Sequence, residues 1–570
     1  MKMQMLDRLR KKEVKTAQVD AGVSVEKFKS SYRVMEEYVI NEPHSRVKIV
    51  KSTELGEGHH YIVDENTLDD LEYDAYNKLK GILSKELDPP TEEVDPKDYI
   101  MAEAEKLAQK YHRSFAQFSE EARSKIFYYV IRDLAGFGPL QVLMLDPNIE
   151  DISCNGVNTP IYVWHRKYES IPTNIKFTDE QISNDFIVKM AHRSAKHISS
   201  AKPLLDAMLP DKHRLAATFM KEVSTRGSTF CIRKFRADPF SIIDLIKMGT
   251  LNERIAAYFW LLLEYKMSFM VIGGTGAGKT SMLNALLSLF SQNDKLVTVE
   301  EVPELSPPLP NWTQFNSRQS FQFGASTSTS ISLFDLIKVS LRYRPDYIIV
   351  GEVRGEEAYV LFQALATGHG GLCTMHADSL DNVVKRLTSP PMNVSPVYIP
   401  LMHSALHVQR VELPTRREGL TFGRRIRTVW EIDDFEKYLE LASWDPQSDL
   451  FKTRFEDSIL LRRIASKRGV DIREILRELK IRETFLRDLV ESEIRDQSEV
   501  AEKILLYASR RKESRRGRIL EGSEEEEGED FVVKSRRRKK QGTGEEDLDR
   551  VEIEPEIDVK AVNVGEGLGI

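Results

Sequence analysis

The chain has 570 residues, 41% of them hydrophobic and 30% charged, with a formal net charge of −7. That length is too great for one hydrophobic core and implies about three or four domains. The composition excludes three classes: no apolar run approaches the ~20 residues that span a bilayer, the net charge is wrong for a polycation built on nucleic acid, and the widely separated Cys154, Cys231 and Cys373 offer neither disulfide framework nor metal-ligand spacing.

Residues 1–98 are polar and mixed, and read as a variable N-terminal region with limited core. Their start carries Lys2, Arg8, Arg10, Lys11, Lys12 and Lys15. It lacks a signal-peptide core, so a cytoplasmic location is expected. Such a basic start could touch a membrane surface or an acidic partner, but a solvated, frayed terminus accounts for it. Residues 99–238 read as an α+β domain. Helical periodicity covers 102–111 and 119–134, a glycine turn follows at 136–140, and a hairpin is expected over 149–164. Asp238-Pro239 marks its end.

From 239 to 435, apolar strand-like segments at 269–272, 296–299, 347–350 and 371–375 alternate with helical ones. That alternation predicts a parallel sheet flanked by helices. Residues 436–510 form a helical region, with Leu, Ile and Val at three- and four-residue spacing from about 453. Residues 511–570 combine an acidic block (524–527) with a basic one (536–540) and read as a disordered tail.

The most specific signal is Gly273-Gly274-Thr275-Gly276-Ala277-Gly278-Lys279-Thr280. It fits the phosphate-binding pattern Gly-x4-Gly-Lys-Ser/Thr without mismatch. The glycines let the backbone curl until several N–H groups face one anion. Lys279 supplies a point charge for the β- and γ-phosphates, and Thr280 a hydroxyl for Mg²⁺. An apolar strand precedes the loop and a helix follows from Ser281, whose N-terminus favours phosphate.

Holding a nucleotide is not hydrolysing it. Hydrolysis needs carboxylates to position Mg²⁺ and orient water. Two apolar strands deliver them at their C-terminal ends, where ligands sit in an open α/β sheet. One ends in Glu300-Glu301-Val302-Pro303-Glu304, the other in Gly351-Glu352-Val353-Arg354. A third strand, entered through Gly370-Gly371, ends at His376, on the sheet edge expected to carry the phosphates.

These four blocks, in this order, resemble the type II/type IV secretion ATPase superfamily, the motors of pilus assembly, secretion and the archaeal flagellum. The blocks correspond to its Walker A, Asp box, Walker B and His box, and the likeness covers roughly 99–435. Residues 136–140, 150–156 and 226–235 most resemble the archaeal pilus and flagellar motors.

The resemblance implies an α/β fold. A RecA-like P-loop core with a parallel sheet would follow a smaller α+β domain and precede a helical segment and disordered tail. It implies an Mg²⁺-dependent ATPase with ATP held by 273–281, Glu300 orienting or activating water, and Glu301 and Glu352 serving Mg²⁺. His376 would sense the nucleotide. Arg214, Arg226 and Arg233 are arginine-finger candidates from the N-terminal domain, which would neutralise γ-phosphate charge as its bond breaks. It further implies a homo-oligomer, a hexameric ring, on the cytoplasmic face of the cell membrane, acting on an integral-membrane platform protein. Two other readings stand beside this motor: an ATPase driving DNA transfer or uptake, for which the sequence carries no strong nucleic-acid signal, and a nucleotide-gated scaffold without turnover.

Overall fold

The computed structural model describes residues 22–521, apart from residue 30 and the segments 88–93, 112–114, 236–238, 319–329 and 418–419. The basic first sixteen residues and the charge blocks of the tail lie outside the described residues.

The N-terminal part is built on ten strands: β1 (Val23–Val25), β2 (Arg33–Asn41), β3 (Ser45–Ser52), β4 (Gly56–Glu65), β5 (Ile149–Cys154), β6 (Pro160–His165), β7 (Glu169–Phe177), β8 (Leu204–Met208), β9 (Arg214–Thr218) and β10 (Thr229–Arg233). Their order is β2-β3-β4-β7-β6-β5-β10-β9-β8, with β1 also on β7. Strict alternation sets which face is core. In β6, Ile161, Val163 and His165 point inward while Tyr162 and Trp164 stay outside. The helix Glu180–Arg193 closes the buried face with Phe186, Ile187 and Met190. A second core joins the helices Asp70–Glu86, Pro96–Lys110 and Glu120–Leu134 through Leu79, Leu107, Ile126 and Val130.

This corrects the expectation of limited core before residue 98. Val47, Ile49 and Tyr61 are fully buried, and β2 to β4 form two antiparallel pairs. The alternation in Ser-Arg-Val-Lys-Ile-Val-Lys-Ser over β3 is short and sits in a polar background, so composition hides it.

The second sheet comprises β11 (Phe269–Gly273), β12 (Leu296–Glu300), β13 (Trp312–Asn316), β14 (Tyr347–Val350), β15 (Gly370–His376), β16 (Ser404–Arg417), β17 (Leu420–Asp434), β18 (Lys437–Asp445) and β19 (Leu450–Thr453). Its order is β13-β12-β14-β15-β11-β16-β17-β18-β19. The first six are parallel, and β15 separates the loop-bearing β11 from the acidic β14. This is the parallel α/β sheet expected from the alternation, and the RecA-like core that the resemblance implies.

β17, β18 and β19 then continue the sheet as an antiparallel meander. Strand structure therefore runs past 435 to Thr453, and helices begin only at Ile459. Buried Leu441, Ala442 and Trp444 tie β18 to the sheet, which is why it is not helical. The helices Ile459–Arg468, Ile472–Glu491 and Gln497–Glu521 follow, the last running past the expected start of the tail at 511. Leu479, Phe485, Leu486 and Tyr507 join the core of the helix Glu253–Glu264. That helix is apolar all round because the C-terminal helices and the sheet core cover it on different sides. Among the described residues no helix is long and apolar enough to cross a membrane.

Candidate nucleotide site

Every residue of β11 is buried, so the loop that follows emerges from a rigid strand. Gly276 (φ 69°) and Gly278 (φ 92°) occupy left-handed backbone that a side chain would strain. At Gly273 the constraint is space: a Cβ would sit 2.2 Å from the Val408 carbonyl oxygen of β16. Gly278 caps the helix Lys279–Leu286, and among the described residues no side-chain cap bonds its first N–H groups. The Lys279 Nζ donates to the Gly274 carbonyl at 3.0 Å. Burial lowers its pKa; Glu352, Asp378 and Glu304 oppose that shift. Ala277 is buried beneath the loop, whereas Thr275 and Ser281 are exposed and Thr280 is half-buried.

β12 and β14 run side by side with Val299 opposite Val350, which brings Glu300 against Gly351. A Cβ on Gly351 would lie 3.1 Å from the Glu300 Cγ. Glu300 is 2% exposed. Its Oε1 accepts the backbone N–H groups of Glu304 and Leu305, each at 2.9 Å, and its Oε2 accepts Gln314 Nε2 at 3.0 Å. Burial pushes its carboxyl up to about 7 against those three bonds. On this residue, expected to orient water, Oε1 shapes the 301–305 turn, whereas Oε2 has a single bond among the described residues, from Gln314.

Glu304, which the sequence reading left without a role, is half-buried after the Pro303 turn. Its charge acts on both Lys279 and Arg214. Glu352 accepts Arg354 Nη2 at 2.6 Å, and Arg354 Nη1 reaches Glu301 at 3.4 Å. One signal could have separated Glu300 from Glu304. Glu300 ends a strand too apolar to have an exposed face, so its side chain has to turn inward.

His376 is the cross-strand partner of Gly273 and is exposed beside the loop. Arg386 donates to its carbonyl. Of the three N-terminal arginines, Arg214 is brought to the site. It is held by Asp206 at 2.8 and 3.2 Å, and its charge is favoured first by Asp206 and further by Glu301 and Glu304. Arg233, its cross-strand partner, pairs with Asp151 at 3.1 Å, and Arg226 packs against Gly156. Among the described residues no hydrogen bond or ion pair joins these two to the loop or its carboxylates. Sequence reasoning also missed Arg424 of β17, whose Nε donates to the Gly276 carbonyl at 3.3 Å.

Among the described residues no cluster of three or more His, Cys, Asp or Glu side chains suits a metal. The Thr280 hydroxyl and the Glu352 carboxylate are hard oxygen donors of the kind Mg²⁺ takes when phosphate and water complete its shell. The donor set fits an ion that arrives with a nucleotide.

The family described as type II/IV secretion system protein matches residues 133–411. An uncharacterized protein of Methanocaldococcus jannaschii is 35% identical over 400 residues, covering 69% of this chain and 71% of that relative. The chain belongs to the type II/IV secretion system protein family. This secretion-family chain is also similar to the conjugal transfer protein TrbB of Rhizobium radiobacter, at 28% identity over 254 residues, 44% of this chain and 74% of TrbB. Among solved structures it is similar to the Legionella pneumophila ATPase DotB (15% identity, 71% of this chain and 90% of that one, TM-score 0.37). It is also similar to the pilus retraction motor PilT with bound ADP (17% identity, 49% and 78%, TM-score 0.35). The secretion-family match spans the loop, both acidic strands, His376 and Arg214, and stops before Arg424.

Proposed function

We propose that this secretion-family chain is an ATP-hydrolysing motor that powers assembly or secretion of pilin-like filaments through an integral-membrane platform protein. The observation that carries the reading is convergence: the charges of Glu352 and Glu304 act on Lys279 of the phosphate loop, and Glu304 acts as well on Arg214 of the other sheet. The loop N–H groups and Lys279 bind the phosphates, and Thr280 and Glu352 would hold Mg²⁺, which when bound offsets phosphate charge. Glu304 orients the attacking water, while Glu300 holds the turn that positions Glu304. Arg214 neutralises charge developing on the γ-phosphate. His376, paired with the loop strand, follows loop occupancy.

Hydrolysis splits the γ-phosphate off as inorganic phosphate, and its departure removes the charge that Arg214 and the loop share, which weakens the hold between the two sheets and lets them part. In a hexameric ring on the cytoplasmic face of the membrane, sequential closure would move the platform. Turnover of Mg-ATP by the full chain, raised by vesicles carrying the platform protein, is the expected result. No turnover at saturating Mg-ATP would leave a nucleotide-gated scaffold.

The likeness to a conjugal transfer protein favours one second reading, DNA transfer. That reading requires ATPase stimulation by DNA that fades as salt is raised.

A further inference from the structure

β16 and β17 place Arg410 directly opposite Arg424, so both guanidinium groups leave the hairpin on one face. Each meets a glutamate of the N-terminal sheet. Arg410 donates to Glu169 of β7, and its guanidinium lies 5.7 Å from the Trp164 ring and 4.8 Å from the Phe422 ring. Arg424 Nη2 stands 3.9 Å from Glu150 Oε2 of β5. Glu150 also lies 3.6 Å from Arg166 Nε, whose guanidinium faces Phe240 at 5.7 Å, next to the start of the second sheet's domain.

Arg424 differs from Arg410 in its second contact. Its Nε donates to the Gly276 carbonyl, and a Cβ on Gly278 would come within 3.0 Å of its Cδ. The arginine therefore lies along the outside of the phosphate loop at its two left-handed glycines. A trans peptide sets its carbonyl opposite its N–H. Holding the Gly276 carbonyl outward keeps the Ala277 N–H inward, where it lies 3.4 Å from the Gly274 carbonyl that Lys279 also bonds.

A half-exposed ion pair at 3.9 Å contributes little by itself. Its position matters here, because one side chain is bonded to the loop backbone at Nε and faces the other sheet at Nη2. We infer that Arg424 is a positioning residue that braces the phosphate loop from outside and, through Glu150, makes nucleotide affinity depend on where the N-terminal sheet sits. This rests on the nucleotide reading of the loop. Coupling of this kind is reciprocal: nucleotide in the loop must also alter β5.

The test uses the full chain with Mg²⁺ and a fluorescent ATP analogue, comparing the parent with Arg424→Gln, Glu150→Gln, the double variant and Arg424→Lys. Arg424→Gln should raise the analogue's Kd about five- to tenfold. Glu150→Gln, which touches no loop atom, should raise it in the same direction by less. The double variant should match Arg424→Gln alone, because Glu150 acts only through Arg424. Arg424→Lys should restore part of the affinity. Nucleotide should change amide hydrogen exchange over 149–154 in the parent and not in Arg424→Gln, a difference that a purely structural role would not produce.

A Glu150→Gln variant with the parent's Kd, or single effects that multiply in the double variant, would overturn the inference while leaving the nucleotide site intact. A parent chain that fails to bind the analogue would overturn the nucleotide reading itself.

Discussion

Glu300 Oε1 accepts the backbone N–H of Glu304 at 2.9 Å, so one acidic residue is the scaffold on which the next is presented. The two carboxylates four residues apart therefore have different jobs. Glu304→Gln should retain nucleotide binding, lose most turnover and leave thermal stability unchanged. Glu300→Gln should also lose turnover, but with a loss of about 1–3 kcal/mol, because its amide turns a donor toward groups that already donate. Turnover measured beside calorimetric unfolding separates the two. Equal stability losses would remove the distinction.

The same buried carboxyl sets a pH dependence. Its folded pKa of about 7 lies above the ordinary 4.5, so between those values the folded chain holds a proton that the unfolded chain has released. This group's contribution to stability is fully present below about 4.5, is lost as pH rises through about 7, and is constant beyond. The slope of unfolding free energy against pH over that window should flatten in Glu300→Gln. Hydrogen exchange at the amides of Glu304 and Leu305 reports the event locally.

Lys279→Ala should weaken ATP binding itself. A charge-assisted contact of about 2 kcal/mol corresponds to roughly thirtyfold in Kd. Titration calorimetry with a non-hydrolysable analogue measures it. Unchanged affinity would remove Lys279 from the site.

Arg214 is the N-terminal arginine whose charge reaches Glu301 and Glu304 within one chain. Arg214→Ala should lower kcat by about a hundredfold or more with little change in Kd. Arg233→Ala, whose side chain pairs with Asp151, and Arg226→Ala should keep the parent's kcat unless copies assemble. Steady-state rates above and below the concentration at which light scattering shows association distinguish those cases.

Gly351 is small for a reason outside the loop. A Cβ there would press on the Glu300 Cγ at 3.1 Å, so Gly351→Ala should cost about 1–3 kcal/mol and shift the Glu304 turn. Reduced stability accompanied by reduced turnover is the expected pair of results, read by thermal unfolding and an ATPase assay.

Features that rest on neighbours in the chain are written in the residues themselves. Gly273 to Thr280 carry their own backbone requirements, and strand–helix alternation defines a parallel sheet, so the loop, the order of the acidic blocks and the parallel sheet are all legible. Features that depend on which distant strand passes by emerge only once the chain is packed. Glu300 is turned inward because β14 lies alongside with Gly351, and Glu304 gains its place from bonds to Glu300. Arg214 outranks Arg226 and Arg233 because the charges of Glu301 and Glu304 act on it, from an acidic turn more than eighty residues away in the chain.

Arg424 lies 148 residues from the carbonyl it holds. β2 to β4 have a core because β7, over a hundred residues on, meets Tyr61 at Thr173. Local motifs encode backbone shape, which short-range sterics enforce. The direction and partner of a charged side chain are set by long-range packing, which no spacing within one segment records.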